Sequence, residues 1–150
     1  MGNLSSKFGS TCQDWATPDE IFLPLVLLHQ FTLDVCATPE NARCARFFTK
    51  DQDGLSQTWG GERCWMNPPF FTVGAWVKKA SEEYQKGTPC IVGLLPARTN
   101  TEWFHRYLLG QTAIQFIRGR IRFKGATYPL PQPLMITHWG VSPFISGWTP

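Results

Sequence analysis

The chain lacks the usual signs of a metal site, a membrane span or a repeat. Its five cysteines (positions 12, 36, 44, 64 and 90) are odd in number, irregular in spacing and form no Cys-x-x-Cys pair. That argues against zinc, and reduced, mostly buried thiols are the simple reading. Long apolar runs are missing too. The longest, residues 21–28, is broken by Pro24 and is far too short to cross a bilayer. Residues 1–11 are polar and rich in Gly and Ser, without the pattern of a secretory leader. A cytoplasmic protein with no membrane association is therefore expected. No internal repeat or domain linker is visible. Charge is sparse at 17%, and the net value of +3 does not by itself indicate nucleic acid.

What is present is a globular composition, 43% hydrophobic over 150 residues, enough for one domain with a real core. Seven Trp and eleven Phe are many for this length. Some are expected to line a cleft for flat rings and others to pack the core. The positive charge is concentrated: residues 118–124 hold Arg118, Arg120, Arg122 and Lys124 with no acid among them.

The order of elements predicts an α/β fold with a mostly parallel sheet. Residues 1–12 read as a loose arm, 13–140 as the folded domain and 141–150 as a tail. Thr17 reads as a helix cap, with Pro18 at the first helical position and Glu20 completing a capping box. That helix is expected to run to about residue 30, with a kink at Pro24. Strands are expected at 32–36, 45–49, 63–66, 90–95, 113–117 and 134–139, with one helical turn over 39–44. Residues 71–86 are amphipathic. Val73, Trp76, Val77, Ala80 and Tyr84 fall on one face, with Lys78, Lys79, Glu82 and Glu83 outside and Gly87 as the stop. A further helix is expected over 100–109, closed by Gly110. Residues 120–124 alternate like a hairpin arm, and 128–133 form a proline-rich loop. The last strand is expected to run antiparallel.

Three polar or proline-rich strand ends, 34–37, 67–70 and 96–98, fall on one edge of this sheet. Ligands of open α/β sheets bind there, near the point where strand order reverses. The most informative of these ends is Asn67-Pro68-Pro69-Phe70, directly after the apolar run Cys64-Trp65-Met66. Two prolines fix φ and remove two donors, leaving outward-facing carbonyls as acceptors beside an amide and an aromatic plate. That set suits a planar ring carrying an exocyclic amino group. A turn after an edge strand is the plain alternative.

Several segments together resemble the small DNA adenine methyltransferases of bacteriophages and prophages, the Dam-like family. They are 14–18 (Asp-Trp-Ala-Thr-Pro), 31–41 (Phe-Thr-Leu-Asp-Val-Cys-Ala-Thr-Pro-Glu-Asn), 53–55 (Asp-Gly-Leu) and 65–70 (Trp-Met-Asn-Pro-Pro-Phe). They continue with 94–101 (Leu-Leu-Pro-Ala-Arg-Thr-Asn-Thr), 103–105 (Trp-Phe-His) and 116–123 (Phe-Ile-Arg-Gly-Arg-Ile-Arg-Phe). The segments are collinear and span roughly 14–139.

The resemblance implies a single-domain Rossmann-like fold and methyl transfer from S-adenosylmethionine to the N6 amino group of adenine in DNA, on a flipped base. A methyltransferase acting on RNA or on a protein amide is the alternative acceptor. A non-catalytic DNA-binding accessory protein is the alternative class. The resemblance also implies roles. Asn67, Pro68, Pro69 and Phe70 form the catalytic lip, with Phe70 stacked on the base and Asn67 also beside the cofactor. Trp15, Thr17 and Pro18 close over the cofactor's methionine end. Asp34, Val35, Cys36 and Ala37 form its first-strand loop, and Asp53 meets its ribose or adenine. Plain alternatives stay open: Asp34 as a cap for 38–43, Trp15 as a hydrophobic staple, Asp53 as a turn former before Gly54. The acidic ribose ligand is undecided among Glu40, Asp51 and Asp53, and the glycine-rich turn of wider methyltransferase families is absent after the first strand. Arg98, Arg118, Arg120, Arg122 and Lys124 are candidate DNA contacts, with 118–133 as the recognition insert. A homodimer would widen so short a footprint. Cys90 opens a strand, which puts its thiol at the wrong edge for cysteine-based methylation at carbon.

Overall fold

In the computed structural model, which describes residues 15–140, the first helix begins later than its capping signal predicts. Helix α1 spans Asp19–His29, with Pro18 at the cap position and no side-chain cap. The Pro18 carbonyl accepts from the backbone N–H groups of Ile21 and Phe22 (3.1 and 3.0 Å). Thr17 does not cap. Pro24 lies inside the helix, and Gln30 ends it in the left-handed region at φ 51°.

Six strands follow: β1 (Leu33–Asp34), β2 (Arg46–Phe47), β3 (Arg63–Met66), β4 (Cys90–Pro96), β5 (Ala113–Phe116) and β6 (Leu134–Trp139). The spatial order is β2-β1-β3-β4-β6-β5. The pairs β1/β2, β1/β3 and β3/β4 are parallel. β6 runs antiparallel to both β4 and β5, as expected of the last strand. Successive strands lie to one side of β1 up to β2, then to the other side from β3 onward. The order therefore reverses between β1 and β3, and the crevice opens outside their carboxyl ends.

β1 and β2 are shorter than expected because their flanks belong to loops that still bond to neighbours. Val35 N–H donates to Trp65 O (3.0 Å) and Ala37 N–H to Phe48 O (3.0 Å). Residues 39–41 form a turn, not a helical turn. β4 is buried along its whole length, as a continuous apolar run in mid-sheet requires.

Helix α2 (Val73–Gln85) follows a 3-10 turn (Phe70–Thr72), and helix α3 (Glu102–Tyr107) is capped by the Thr101 hydroxyl, which accepts from Phe104 N–H (3.4 Å). Two α2 positions reverse their expected sides. Glu83 is buried, and Tyr84 is 38% exposed. The Glu83 carboxylate accepts from Trp59 N–H (2.9 Å), Lys79 (2.7 Å) and Lys86 (3.3 Å). Burial alone would push this carboxyl up, but the two lysines and the Trp59 amide outweigh it and hold it below the usual range. The loop before β3 thereby hangs on a charge that helix periodicity assigns to solvent.

Residues 120–124 alternate as predicted, with Ile121 and Phe123 buried and Arg120, Arg122 and Lys124 exposed, but they form no strand. Their backbone contact is an isolated antiparallel bridge between Lys124 and Ala16. The proposed arm 1–12 and tail 141–150 lie outside the described residues.

Candidate active site

Three loops bring the carboxyl ends of β1, β2 and β3 around a cavity of about 440 Å³. β1 contributes Val35 and Cys36, the segment after β2 contributes Thr49, Lys50 and Asp53 to Leu55, and the lip region contributes Pro69, Phe71, Thr72, Ala75 and Trp76. Three expected ligand positions, Val35, Cys36 and Asp53, thus meet one lip proline in a single pocket. Its size is within the range of small-molecule sites, roughly 300–1,000 Å³.

Gly54 supplies a close backbone approach that the first-strand loop lacks. A side chain there would collide with the Val35 carbonyl and lie 3.1 Å from the Trp76 ring. Asp53 precedes it at φ 51°, a left-handed conformation that Asp tolerates, and its Oδ1 accepts from Leu55 N–H (3.2 Å). Asp53 is a turn former, as its plain alternative holds, and it also lines the cavity.

Asp34 is buried behind this pocket. Its Oδ1 accepts from Cys36 N–H (3.3 Å) and its Oδ2 from Arg43 N–H (3.0 Å), so the carboxyl folds the 35–43 loop. Burial pushes it up to about 7, against the lowering effect of those two amides and the Arg43 charge. Ala37 is buried and does not line the cavity.

The lip itself differs from expectation in three ways. Phe70 is 4% exposed and packs in the core with Phe22, Ile121 and Phe123, so its ring offers no free plate. The ring that stands out at the lip is Phe71, 79% exposed and on the cavity wall. Two of the three lip carbonyls are already bonded: Pro69 O accepts from Thr72 N–H (3.1 Å), and Phe70 O from Arg98 Nη1 (3.0 Å). Among the described residues no donor reaches Pro68 O.

Asn67 is 8% exposed and lies beside, not on, the cavity wall. Its Nδ2 donates to the Thr17 hydroxyl (3.3 Å), while its Oδ1 is buried without a partner. A buried acceptor left unmade costs about 1–3 kcal/mol, so one at a ligand-facing sheet edge calls for a function. Unpartnered buried atoms also occur on His29, Arg43, Trp65, Thr88, Gln115, Thr137 and His138, and of these Trp65 is two residues from Asn67 along the chain.

The candidate DNA contacts divide. Arg118 and Arg120 are exposed cations without a partner among the described residues. Arg122 Nε donates to Ala126 O (3.0 Å), and Lys124 pairs with Asp19 (2.7 Å). Asp19 also binds Arg43 (2.8 Å), and the two cations hold its carboxyl below the usual range. Arg98 is turned inward, toward the lip. Trp15 lies 6.3 Å from Phe123 and packs against the core cluster that also holds Ile21, Phe22 and Leu25 of helix α1, and Pro18 is buried. Cys90 is fully buried at the start of β4, 3.7 Å from His29 Nδ1, and burial pushes its thiol up. That placement removes it from the edge where the crevice lies. Glu40 and Asp51 are exposed and do not line the cavity.

Sequence alone missed Thr49, Lys50, Gly54, Leu55, Phe71, Thr72, Ala75 and Trp76 as cavity-lining residues. Trp76 carried a signal, its place on the inner stripe of α2, but periodicity cannot tell a core wall from a pocket wall. Among the described residues no cluster of His, Cys, Asp or Glu could hold a metal, and no helix is long and apolar enough to cross a membrane.

A six-stranded, mostly parallel α/β sheet whose strand order reverses between β1 and β3 is consistent with a methyltransferase fold. The family model for DNA N-6-adenine-methyltransferase (Dam) matches residues 5–132, and the chain belongs to that family. It is 35% identical over 92 residues to a DNA N-6-adenine-methyltransferase of Escherichia phage T1, covering 60% of this chain and 38% of the relative. It is 32% identical over 112 residues to a DNA N-6-adenine-methyltransferase of Haemophilus phage HP1 (strain HP1c1), covering 73% of this chain and 65% of the relative. The chain thus matches less than two thirds of the length of either relative.

Proposed function

We propose that this protein transfers a methyl group from S-adenosylmethionine to the N6 amino group of an adenine flipped out of DNA. The observation that carries the reading is the unpartnered Oδ1 of Asn67 at the reversal of strand order, two residues from a pocket of cofactor size. Family membership supports it independently.

The residues around the cavity fit the cofactor. An apolar slot between Val35, Leu55 and Trp76 suits a flat base, and Asp53 at the rim offers an acceptor to a ribose or amino group. When bound, S-adenosylmethionine supplies a sulfonium methyl that needs no acid catalyst. The chain's own task is then to bind, orient and exclude water. An adenine amino nitrogen is a weak nucleophile because its lone pair is spread into the ring. Asn67 Oδ1 and Pro68 O would each accept one N–H, favouring a more tetrahedral nitrogen. With Nδ2 donating to the Thr17 hydroxyl, the oxygen of Asn67 is the end left for the substrate. No strong base is required, since the proton leaves to water. Because Asn67 is covered, entry of the base requires the 15–17 strap to move. That strap is held to the basic segment by the Ala16–Lys124 bridge and by Trp15 against Phe123.

Arg118 and Arg120 are the surface cations best placed to meet phosphate. The test is incubation of the purified protein with labelled S-adenosylmethionine and separate DNA, RNA and protein acceptors. Label in adenine of DNA is expected. Label confined to RNA or protein would replace the acceptor, and DNA binding without any label would leave a non-catalytic binder.

A further inference from the structure

We infer that Arg98 is a positioning residue that braces the catalytic lip and joins it to the 118–133 segment, and that it is not a phosphate contact. The inference rests on the methyltransferase reading above.

Arg98 follows β4, whose parallel register with β3 pairs Met66 with Gly93. The two strand ends are therefore neighbours, and a side chain leaving β4 can reach the lip that leaves β3. Its guanidinium does so with two separate prongs. Nη1 donates to Phe70 O (3.0 Å), and Nη2 donates to Gln132 Oε1 (3.1 Å) in the proline-rich loop.

The backbone of Arg98 is pinned as well. Its carbonyl accepts from the Thr101 hydroxyl (2.7 Å) and from Thr101 N–H (3.2 Å), while Ala97 N–H donates to Pro133 O (2.9 Å). A long flexible cation on a surface would gain nothing from so many restraints. Held this way, the planar fork fixes the distance between the lip and the loop.

The consequence for chemistry is geometric. Pro68 O and Asn67 Oδ1 must face one amino group together, and both sit within three residues of the carbonyl that Arg98 holds. Without the fork, Phe70 O loses its donor and the lip is free to tilt. A misplacement of roughly 1 Å can cost about a hundredfold in rate.

Lysine keeps the charge but is a compact ammonium that cannot span both acceptors. Charge and positioning therefore separate in one experiment. Steady-state kinetics on DNA, methyl-donor affinity by calorimetry and the salt dependence of DNA binding would be measured for wild type, Arg98→Gln, Arg98→Lys and Gln132→Ala. Both Arg98 variants are expected to lose kcat by ~10- to 100-fold. Methyl-donor affinity should hold, and the salt slope should match wild type. Gln132→Ala should show a smaller kcat loss of the same kind.

Full activity in Arg98→Lys, or a salt slope lowered by about one in Arg98→Gln, would make Arg98 a phosphate ligand and overturn the inference. If melting shows the Arg98 variants unfolded, Gln132→Ala carries the test, and wild-type kcat there overturns it equally. A wild-type protein that labels no DNA overturns the methyltransferase reading, and this inference with it. An active wild type with unaffected variants overturns the inference alone.

Discussion

Asn67 shows how one amide can serve two ends at once. Its nitrogen donates to the Thr17 hydroxyl, and its oxygen is buried without a partner and is the end left for a ligand's N–H. Replacing Asn67 with Ala should lower kcat by about 10²–10³-fold, the usual cost of losing one preorganised hydrogen-bonding group. Methyl-donor affinity, measured by calorimetry, should change little. Equal loss of both quantities would make Asn67 a cofactor ligand or a packing residue. Gly54 is the second residue whose identity is dictated by space. Gly54→Ala would press on the Val35 carbonyl and the Trp76 ring and should cost about 1–3 kcal/mol. Thermal unfolding checks this, and an unchanged melting temperature would mean the 50–55 loop yields freely.

The segment 118–133 behaves at the scale of an element as a basic strip anchored by its apolar side. Ile121, Phe123 and Leu130 are buried, and Leu130 N–H closes back onto Ile121 O (2.8 Å). Of its four cations, two are committed within the protein, Arg122 to a backbone carbonyl and Lys124 to Asp19. Neutralising Arg118 and Arg120 together should therefore lower the salt slope of DNA binding by about two, while Arg122→Gln should lower it less. Filter binding over a salt series reads this directly. A slope unmoved by the double change would return the strip to an ordinary solvated face. The alternation of charge and apolar residues made the strip legible in sequence. Its lack of strand pairing was not legible, because pairing needs a neighbouring edge and the 15–17 strap offers only one bridge.

Acid sensitivity belongs to the whole molecule. His29 and His138, brought from helix α1 and strand β6, lie tilted with ring centroids 5.2 Å apart in the interior, facing Cys90, Phe31 and the Arg63 side chain. Burial pushes His29 down to about 4, with Arg63 adding to it, and His138 down to about 3, with His29 adding to it. Unfolded histidines take up protons near pH 6.5 and these do not, so the unfolded state binds more protons between 6.5 and about 3. Stability should thus be lost as pH falls through that window.

Asp34, raised to about 7, acts with the opposite sign and lowers stability as pH rises from about 4 to 7. His138→Phe should separate the two. It removes two unsatisfied buried nitrogens, worth ~1–3 kcal/mol, and should flatten the acid limb in denaturant titrations at pH 4 to 7. A variant with the wild-type acid dependence would assign the effect elsewhere.

Local chemistry in the sequence was enough for the order and type of the strands, the antiparallel last strand and the place of Asn67-Pro68-Pro69 at a strand's carboxyl end. Apolar runs, prolines and glycines act over a few residues, and that range is readable along a chain. Tertiary structure alone decided which aromatic of the Phe70–Phe71 pair is buried, that Arg98 turns inward to the lip, and that Glu83 anchors a loop from inside. Each of those depends on partners between 24 and 53 positions away: Phe123 for Phe70, Gln132 and Phe70 for Arg98, Trp59 for Glu83. Side chains choose water or the interior by the acceptors and space that the rest of the fold presents, and no spacing rule along the chain carries that information.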